Sequence, residues 1–329
     1  MAKTVTIYGG SGFLGRAIAQ RMARDGWRVR VACRRPNEAL AVRGYGAVGQ
    51  VEPVLCNIRD EGSVASAMAG ADAVINCVGT FDRGGANNFT AVMVDGAARV
   101  ARLAAANGVG TLVHISAIGA DPDGASLYAQ AKGRGEEAVR AAFPKAAILR
   151  PSVLFGPGDN FFNRFGGQAL CGPFLPLVGG DSLFQPAYVE DVAQAAAICA
   201  EGRAGARTLE LGGPDRESLR DLMHRMLKVI DRRRLVVNLP FWIGSVIGGV
   251  LDIGSAMIGR LIPNRILTRD QVTSLRSDNV VAPGAAGFEA LGIVPTAMGA
   301  ILPDYLWRFR PSGQFDAIKA SAQNLRNPN

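Results

Sequence analysis

Short apolar runs alternate with longer amphipathic segments through residues 1–150 of the chain. The strand-like runs TVTIYG and RVRVAC flank FLGRAIAQRMARDG, in which apolar residues recur at helical spacing. Further strand-like runs follow, namely VEPVLC, DAVINCVG, TLVHIS and AAILRP. Strands that alternate with helices are typical of βαβ units, so the pattern predicts a parallel, doubly wound α/β sheet.

This alternation ends at residues 151–182, where glycine, proline and phenylalanine are frequent. We therefore predict a nucleotide-binding domain over residues 1–150 and a smaller, mostly helical domain over residues 151–329. Within the second part, a helix-like AYVEDVAQAAAICAEG and a strand-like ARTLELGG predict that residues 183–212 return to the sheet. The polar end of the chain, PSGQFDAIKASAQNLRNPN, predicts a loose tail.

Residues 239–263 form the most apolar stretch of the chain, although Asp252 and Arg260 interrupt it. Its charge-free part, 239–251, is shorter than the roughly 20 residues that cross a bilayer. The stretch has too many apolar residues for one amphipathic stripe, so it is either buried in the domain core or covered by a partner or by lipid. The basic run DRRR at 231–234 favours the second interpretation.

Composition narrows the class of protein further. The chain has 329 residues, is 48% hydrophobic and has a formal net charge of +8. Its basic residues are mostly scattered, which argues against nucleic-acid binding. Five cysteines without a CxxC pair and two histidines predict neither a disulfide framework nor a metal site. Because a strand is predicted at residues 3–8, we expect no targeting peptide and a cytosolic-facing chain.

Three glycines stand between the first predicted strand and the first predicted helix. In IYGGSGFLG, Gly9, Gly12 and Gly15 would let backbone approach a pyrophosphate, and the helix N-terminus offers unpaired N–H groups. The alternative is an ordinary tight turn between strand and helix, which rarely needs three glycines. The context therefore predicts a Rossmann-type dinucleotide site.

The end of the second strand indicates which dinucleotide is preferred. An NAD-selective site usually has a carboxylate there, but this chain has Cys33 followed by Arg34 and Arg35. Guanidinium groups suit a 2′-phosphate, so NADPH is predicted unless the arginines are simply solvated. Later strand ends, at Asn57 with Ile58 and at 77–79, are expected near the adenine and the rest of the cofactor.

Tyr128 and Lys132 are four residues apart and should share one helix face. The lysine could shift the phenol pKa from about 10 towards neutrality, and Ser116 could bind a substrate carbonyl. His114 alternates with core residues of its strand and is expected to be structural. Ser116, Tyr128 and Lys132 together predict either a retained cofactor pocket or an active reductase.

In order, GGSGFLG, the serine, YAQAK and ILRPSVLFGPGD resemble a short-chain dehydrogenase/reductase of the extended or atypical kind. More narrowly, the chain resembles the nucleotide-binding accessory subunits of respiratory complex I, NADH:ubiquinone oxidoreductase. The specific phrases are GPFLPLV, FQPAYVEDVAQA, LTRDQVTSLRSDNVV and GFEALGI. The resemblance covers nearly the whole chain, but its match over 239–263 is loose.

This resemblance implies a tightly held NADPH, other complex I subunits as partners, and no necessary turnover. It places the chain on the cytoplasmic face of a bacterial inner membrane, or on the matrix side if it is a processed mitochondrial form. Residues 239–263 are a candidate lipid contact. Cofactor contacts are predicted at Gly9, Gly10, Ser11, Gly12, Phe13, Leu14, Gly15, Arg34, Arg35, Asn57, Ile58, Cys77, Val78, Gly79, Tyr128, Lys132 and Pro151.

Two alternatives remain at this point. The chain is an active NADPH-dependent reductase or epimerase if Tyr128 protonates a carbonyl oxygen, Ser116 orients it and Lys132 tunes the phenol. Alternatively, it is a regulator that senses NADPH without chemistry. The leading hypothesis is an accessory subunit in which NADPH is structural and Ser116, Tyr128 and Lys132 are vestigial.

Overall fold

A seven-stranded parallel sheet forms the centre of the computed structural model, which describes residues 2–257 and 268–313, Phe315 and Ala322. The strand order is β11-β6-β5-β4-β1-β2-β3, and every neighbouring pair is parallel. This confirms the predicted doubly wound sheet. The strands are β1 (Thr4–Tyr8), β2 (Arg28–Cys33), β3 (Val51–Leu55), β4 (Ala73–Asn76), β5 (Thr111–Ile115), β6 (Ala147–Pro151), β7 (Leu154–Phe155), β8 (Phe174–Val178), β9 (Leu183–Phe184), β10 (Ala187–Tyr188), β11 (Thr208–Leu211), β12 (Glu217–Ser218) and β13 (Leu235–Leu239).

Helices cover both faces of the sheet because successive strand side chains point to opposite sides. In β1, Val5 and Ile7 enter one apolar cluster, whereas Tyr8 enters the other. The helices are α1 (Phe13–Arg24), α2 (Glu61–Met68), α3 (Asp95–Ala106), α4 (Leu127–Ala142), α5 (Phe162–Gln168), α6 (Val189–Ala200), α7 (Leu219–Val229), α8 (Phe241–Met257), α9 (Arg269–Ser274) and α10 (Met298–Leu306).

The strand predicted within 183–212 is β11, which pairs with β6 from Thr208 opposite Ile148 to Leu211 opposite Pro151. The chain thus leaves the sheet after β6 and returns to it at β11, where Thr208 pairs with Ile148, sixty residues earlier in the sequence. A third apolar cluster lies outside the sheet and is built around Phe155, Phe162 and the buried side of α7. This cluster is the core of the smaller, mostly helical part.

The apolar stretch predicted at 239–263 is helical over α8. Gly244 and Gly248 pack tightly, because a Cβ on either would lie within 3.0 Å of Val178 or of the backbone at residues 268–269. On the outer side, Trp242, Val246 and Val250 are 68%, 58% and 64% exposed. Within the described ranges, no helix is both long enough and apolar enough to cross a bilayer. Residues 258–263 and most of the predicted tail lie outside the described residues.

Candidate functional site

The glycine loop 9–12 joins β1 to α1 and is closed by backbone hydrogen bonds. Gly12 N donates to Gly9 O at 2.9 Å, and Gly9 N donates to Ala32 O at 3.0 Å. Gly9 has φ +74°, and a Cβ there would lie 3.1 Å from backbone atoms of Cys77 and Val78. The turn and the close approach of the chain after β4 therefore both require glycine at this position.

The N-terminus of α1 lies directly behind the loop. Gly12 is its N-cap residue, and no side chain of the described residues accepts a hydrogen bond from the first turn. The backbone amides of Phe13 and Leu14 therefore lie at the positive end of the helix, where an anion binds well. A Cβ on Gly15 would lie 2.3 Å from Gly9 O, which means that helix and loop touch backbone to backbone. This cradle fits a dinucleotide pyrophosphate.

The predicted selectivity residues lie at the end of β2. Cys33 is buried, and burial raises the pKa of its thiol while a hydrogen bond with Ser11 opposes that shift. Arg34 and Arg35 are both exposed, and Arg35 Nη1 lies 3.0 Å from Glu38 Oε1. Both residues follow β2 at the sheet edge that carries the loop, and Arg35 already has an ionic partner.

The strand ends after β3 and β4 differ in how they could contact a cofactor. Asn57 Oδ1 accepts from Arg59 N at 3.2 Å, and Ile58 is only 7% exposed. The Ile58 side chain packs beside Gly96, and Ile58 O accepts from Arg99 Nη1 at 2.8 Å, so neither is directed to an adenine in this structure. At the next strand end, Cys77 and Val78 lie against Gly9, and burial raises the pKa of Cys77 to about 12.

Two further predicted contacts lie at the carboxyl edge of the same sheet. Gly79 is exposed just beyond β4. Pro151 is the last residue of β6, and its carbonyl accepts from Ile118 N at 3.1 Å. Because the carboxyl ends of parallel strands meet at one edge, the fold brings these positions to the edge that carries the glycine loop.

Ser116, Tyr128 and Lys132 lie together at the ends of β5 and α4. Lys132 is 6% exposed, and its Nζ donates to Ile115 O at 3.0 Å. The same nitrogen lies 5.9 Å from the centroid of the Tyr128 ring, so the two share a helix face as predicted. Ser116 is 3% exposed, and its Oγ has no hydrogen-bond partner among the described residues.

Titration of the tyrosine differs from the expectation. Burial raises the pKa of Tyr128 to about 12, and desolvation lowers the pKa of Lys132 to about 8. The predicted shift of the phenol pKa towards neutrality is therefore wrong for this structure. The lysine donates to a backbone carbonyl instead of the phenol, and two phenylalanine rings contact the tyrosine ring.

Phe81 and Phe89 are those rings. Phe81 stacks on Tyr128 with centroids 5.4 Å apart and planes 14° apart, and Phe89 contacts the tyrosine edge-on at 6.1 Å. Arg83, two residues further, lies with Nη1 3.1 Å from Asp252 Oδ2 of α8. We call residues 81–83 with their contacts to Tyr128 and α8 the tyrosine cover.

Asp270 of α9 holds the helix that carries Tyr128. Its two carboxylate oxygens accept from Leu127 N at 2.8 Å and Tyr128 N at 3.1 Å, while Ser126 Oγ accepts from Ala129 N. Sequence reasoning missed this contact because 143 positions separate Asp270 from Leu127. The sequence did contain a signal for the start of α9, because Thr268 and Gln271 have the spacing of a capping box and form one in the structure.

His114 is a core residue, as expected. It is 2% exposed, and its Nδ1 lies 3.2 Å from Asn76 Nδ2. Val78 N donates to Asn76 Oδ1, so the amide nitrogen of Asn76 faces the ring and Nδ1 accepts. Burial lowers the pKa of His114 to about 3, and the ring is neutral at physiological pH.

Comparisons with known proteins agree with this fold. The profile of the NAD dependent epimerase/dehydratase family matches residues 5–212. A solved structure of a dTDP-glucose 4,6-dehydratase double mutant from Streptomyces venezuelae, with NAD bound, superposes with a TM-score of 0.70 over 95% of this chain and 99% of that one, at 19% identity. At that identity the likeness shows the fold alone.

Two curated relatives are more similar in sequence. NADH dehydrogenase (ubiquinone) 1 alpha subcomplex subunit 9 of Arabidopsis thaliana mitochondria is 33% identical over 94% of this chain and 78% of its own length. A ceramide reductase of Caulobacter vibrioides is 31% identical over 72% of this chain and 73% of its own. The chain therefore belongs to the NAD dependent epimerase/dehydratase family and, within it, to the group that contains the alpha subcomplex subunit 9 of NADH dehydrogenase.

Proposed function

We propose that this chain is an accessory subunit of respiratory complex I that holds NADPH as a fixed part of its fold, without turnover of its own. The observation that carries the proposal is the tyrosine cover. Phe81 stacks on the ring of Tyr128 with centroids 5.4 Å apart, which leaves less room for a carbonyl substrate beside that ring. A group with a pKa of about 12 is also a poor proton donor near pH 7.

Assembly with other subunits of complex I is supported by similarity along 94% of the chain. The similarity includes α9, which lies outside the segment matched by the family profile and yet anchors the helix of Tyr128. A residue of the C-terminal part, Asp270, thus contacts the helix that carries Tyr128 of the candidate site.

A nicotinamide cofactor fits the cradle at the glycine loop, and we propose that it is NADPH. When bound, the cofactor would supply redox chemistry only if a substrate could reach it. The amides of the α1 N-terminus would hold the pyrophosphate, and Arg34 and Arg35 would hold the 2′-phosphate. Arg35 would have to leave or share Glu38, which costs little because both side chains are more than two thirds exposed.

Native electrophoresis of gently solubilised membranes tests the assembly. We expect this chain to migrate with NADH dehydrogenase activity, at the cytoplasmic face of a bacterial inner membrane or on the matrix side in a mitochondrion. Migration as a free soluble species alone would contradict the proposal. The exposed apolar residues of α8 are the proposed contact with a partner subunit or with lipid.

Release of the bound nucleotide by denaturation tests the cofactor. We expect NADPH in the purified protein, and we expect Arg34→Gln with Arg35→Gln to weaken NADPH binding at least tenfold while NADH binding changes little. Arg28→Gln with Arg43→Gln is the matched control, because it also removes two exposed arginines, one at the start of the same strand and one in the turn that follows it. Release of NADH from the wild-type protein would show that the choice of NADPH is wrong.

An active reductase is the second candidate, and two observations favour it. Ser116 Oγ is buried without a partner among the described residues, and Lys132 Nζ lies near the tyrosine ring. Phe81→Ala would open the cover, so carbonyl reduction that appears in Phe81→Ala and disappears in Phe81→Ala with Tyr128→Phe would show intact but covered machinery. Reduction by the wild-type protein, lost in Tyr128→Phe with nucleotide still bound, would overturn the non-catalytic assignment.

A further inference from the structure

A basic cleft of about 470 Å³ lies between the C-terminal end of α7 and the start of β13. Its lining includes His224, Lys228, Arg232, Arg233 and Arg234, with Leu235 at one end. In the described part of the chain, none of the four lysine and arginine groups lies within 4.0 Å of a carboxylate. The nearest carboxylate in sequence, Asp231, is exposed and does not line the cleft.

The basic side chains of the cleft are not needed to neutralise the last backbone carbonyls of α7. Basic residues often neutralise the last carbonyls of a helix, but here those carbonyls have other donors. Leu227 O accepts from Arg232 N at 3.0 Å, and Lys228 O accepts from Asp231 N at 3.3 Å. Val229 O accepts from Arg310 Nε at 2.9 Å. The side chains of the cleft therefore remain available to an outside anion.

Two of the arginines are held in place by backbone carbonyls. Arg232 Nε donates to Phe309 O at 2.6 Å, and Arg234 Nε donates to Ala169 O at 2.8 Å. Both side chains are partly buried, whereas Lys228 and Arg233 are exposed at the rim. Arg234 Nη1 also donates to Arg233 O at 3.0 Å, so Arg234 Nη2 and the terminal nitrogens of Arg232 are the groups that face an anion. A guanidinium fixed in this way loses little entropy when such a nitrogen binds an anion, and its geometry suits phosphate oxygens.

Apolar side chains continue the cleft on one side. Leu235 and Phe174 lie opposite each other in the β8–β13 pair and are 62% and 59% exposed. A soluble phosphate would not use such a surface, but a phospholipid presents phosphate and hydrocarbon together. We infer that this cleft binds the phosphate of an anionic phospholipid headgroup, with Leu235 and Phe174 against the lipid. The inference rests on the proposed function, which places the chain beside a membrane.

Vesicle flotation of the purified full-length protein tests the inference. We compare vesicles of phosphatidylcholine alone with vesicles that also contain an anionic phospholipid. Lys228→Gln with Arg233→Gln removes two rim charges without touching the carbonyl-bonded arginines, and binding to anionic vesicles should fall about 30-fold. Lys145→Gln with Arg207→Gln is the matched control, because it removes the same charge from exposed residues elsewhere.

Each outcome decides the matter. Loss of binding in the cleft variant but not in the control supports the inference, whereas equal loss in both variants would show attraction by net charge and overturn it. Binding of inorganic phosphate or of an acidic peptide, without binding to anionic vesicles, would also overturn it. Native electrophoresis of membranes from the same variants separates the two proposals, since co-migration with complex I tests the proposed function and flotation tests the cleft.

Discussion

Gly15 leaves no room for even one methyl group at the point where α1 meets the glycine loop. A Cβ would lie 2.3 Å from Gly9 O and 2.6 Å from Gly10 Cα, both backbone atoms that cannot rotate away. We expect Gly15→Ala to lower the free energy of unfolding by about 1–3 kcal/mol and to abolish nucleotide retention. Chemical denaturation and analysis of the released nucleotide measure the two effects.

Gly62→Ala is the control for this change. Gly62 lies in α2, where the nearest atom to an added Cβ is Asp60 Oδ1 at 3.8 Å. There alanine should be neutral, or stabilising by up to about 1 kcal/mol. If Gly15→Ala retained both nucleotide and stability, the tight contact would not matter.

His114 should make the folded protein sensitive to acid. Its folded pKa is about 3 and its ordinary value is 6.5, so the unfolded chain binds the extra proton first as the pH falls. Stability is therefore lost as the pH falls through 6.5, by about 2 kcal/mol between pH 6.5 and 5. In His114→Gln this part of the loss should disappear.

The second histidine of the chain provides the comparison. His224 is exposed, and His224→Gln is the comparison variant for the loss of one histidine. Denaturant titrations of the nucleotide-free proteins between pH 5 and 7 decide the point. If the free energy of unfolding changed equally with pH in the wild type and in His114→Gln, the assignment of a buried neutral imidazole would be wrong.

Individual residues also show where sequence reasoning stops. The spacing of Tyr128 and Lys132 predicted a shared helix face, because that follows from helix geometry alone. The pKa of the phenol did not follow, because burial raises it and that burial includes rings 47 and 39 positions away, at Phe81 and Phe89. Sequence spacing therefore predicts on which helix face a side chain lies, whereas the side chains packed around it determine its pKa.

At the scale of elements, α4 depends on a carboxylate from another helix. Asp270 is 8% exposed and accepts from two backbone amides of the first turn of α4. We expect Asp270→Asn to cost about 1–3 kcal/mol, since one amide loses its acceptor and the charge at the helix N-terminus disappears. The loosened turn carries Tyr128, so bound nucleotide should also dissociate faster.

Asp278→Asn is the matched control. Asp278 Oδ1 accepts from Leu183 N at 2.9 Å, but this carboxylate is exposed and does not contact α4. Unfolding free energy and the rate of nucleotide release should change little in this variant. If both variants released nucleotide at the same rate, Asp270 would have no special role in holding α4.

The strands of the central sheet were predicted from periodicity, together with the helices at α1, α4 and α6, because their apolar pattern is local. The short strands of the smaller part and the place of α9 were not, because they are set by contacts such as Leu183 with Asp278 across 95 positions. Local pattern predicts elements, whereas long-range hydrogen bonds decide how they join.

For the whole molecule, a buried ionic network joins three elements. Arg150 of β6 lies 2.8 Å from Glu136 of α4 and 3.4 Å from Glu210 of β11, and Glu210 also accepts from Ala282 N. Arg150→Met would leave two poorly exposed carboxylates without a cation, at a cost of about 3 kcal/mol. Thermal or chemical denaturation should register this loss.

Arg225→Met is the comparison at a more exposed ion pair. Arg225 pairs with Glu217, and the side chains are 35% and 20% exposed. Its removal should cost no more than about 1 kcal/mol. If the two variants were equally stable, the network would not be what ties the returning strand and the C-terminal segment to the sheet.

Cys171 is a natural site for thiol-directed labelling of the wild-type protein. The other four cysteines are buried or half-buried, and desolvation raises the pKa of each, whereas Cys171 is exposed. It stands two positions beyond Ala169, whose carbonyl holds Arg234. A thiol-directed photocrosslinker would therefore label the wild-type protein mainly at one site, and mass spectrometry of the adducts would identify the molecule lying next to it in intact membranes.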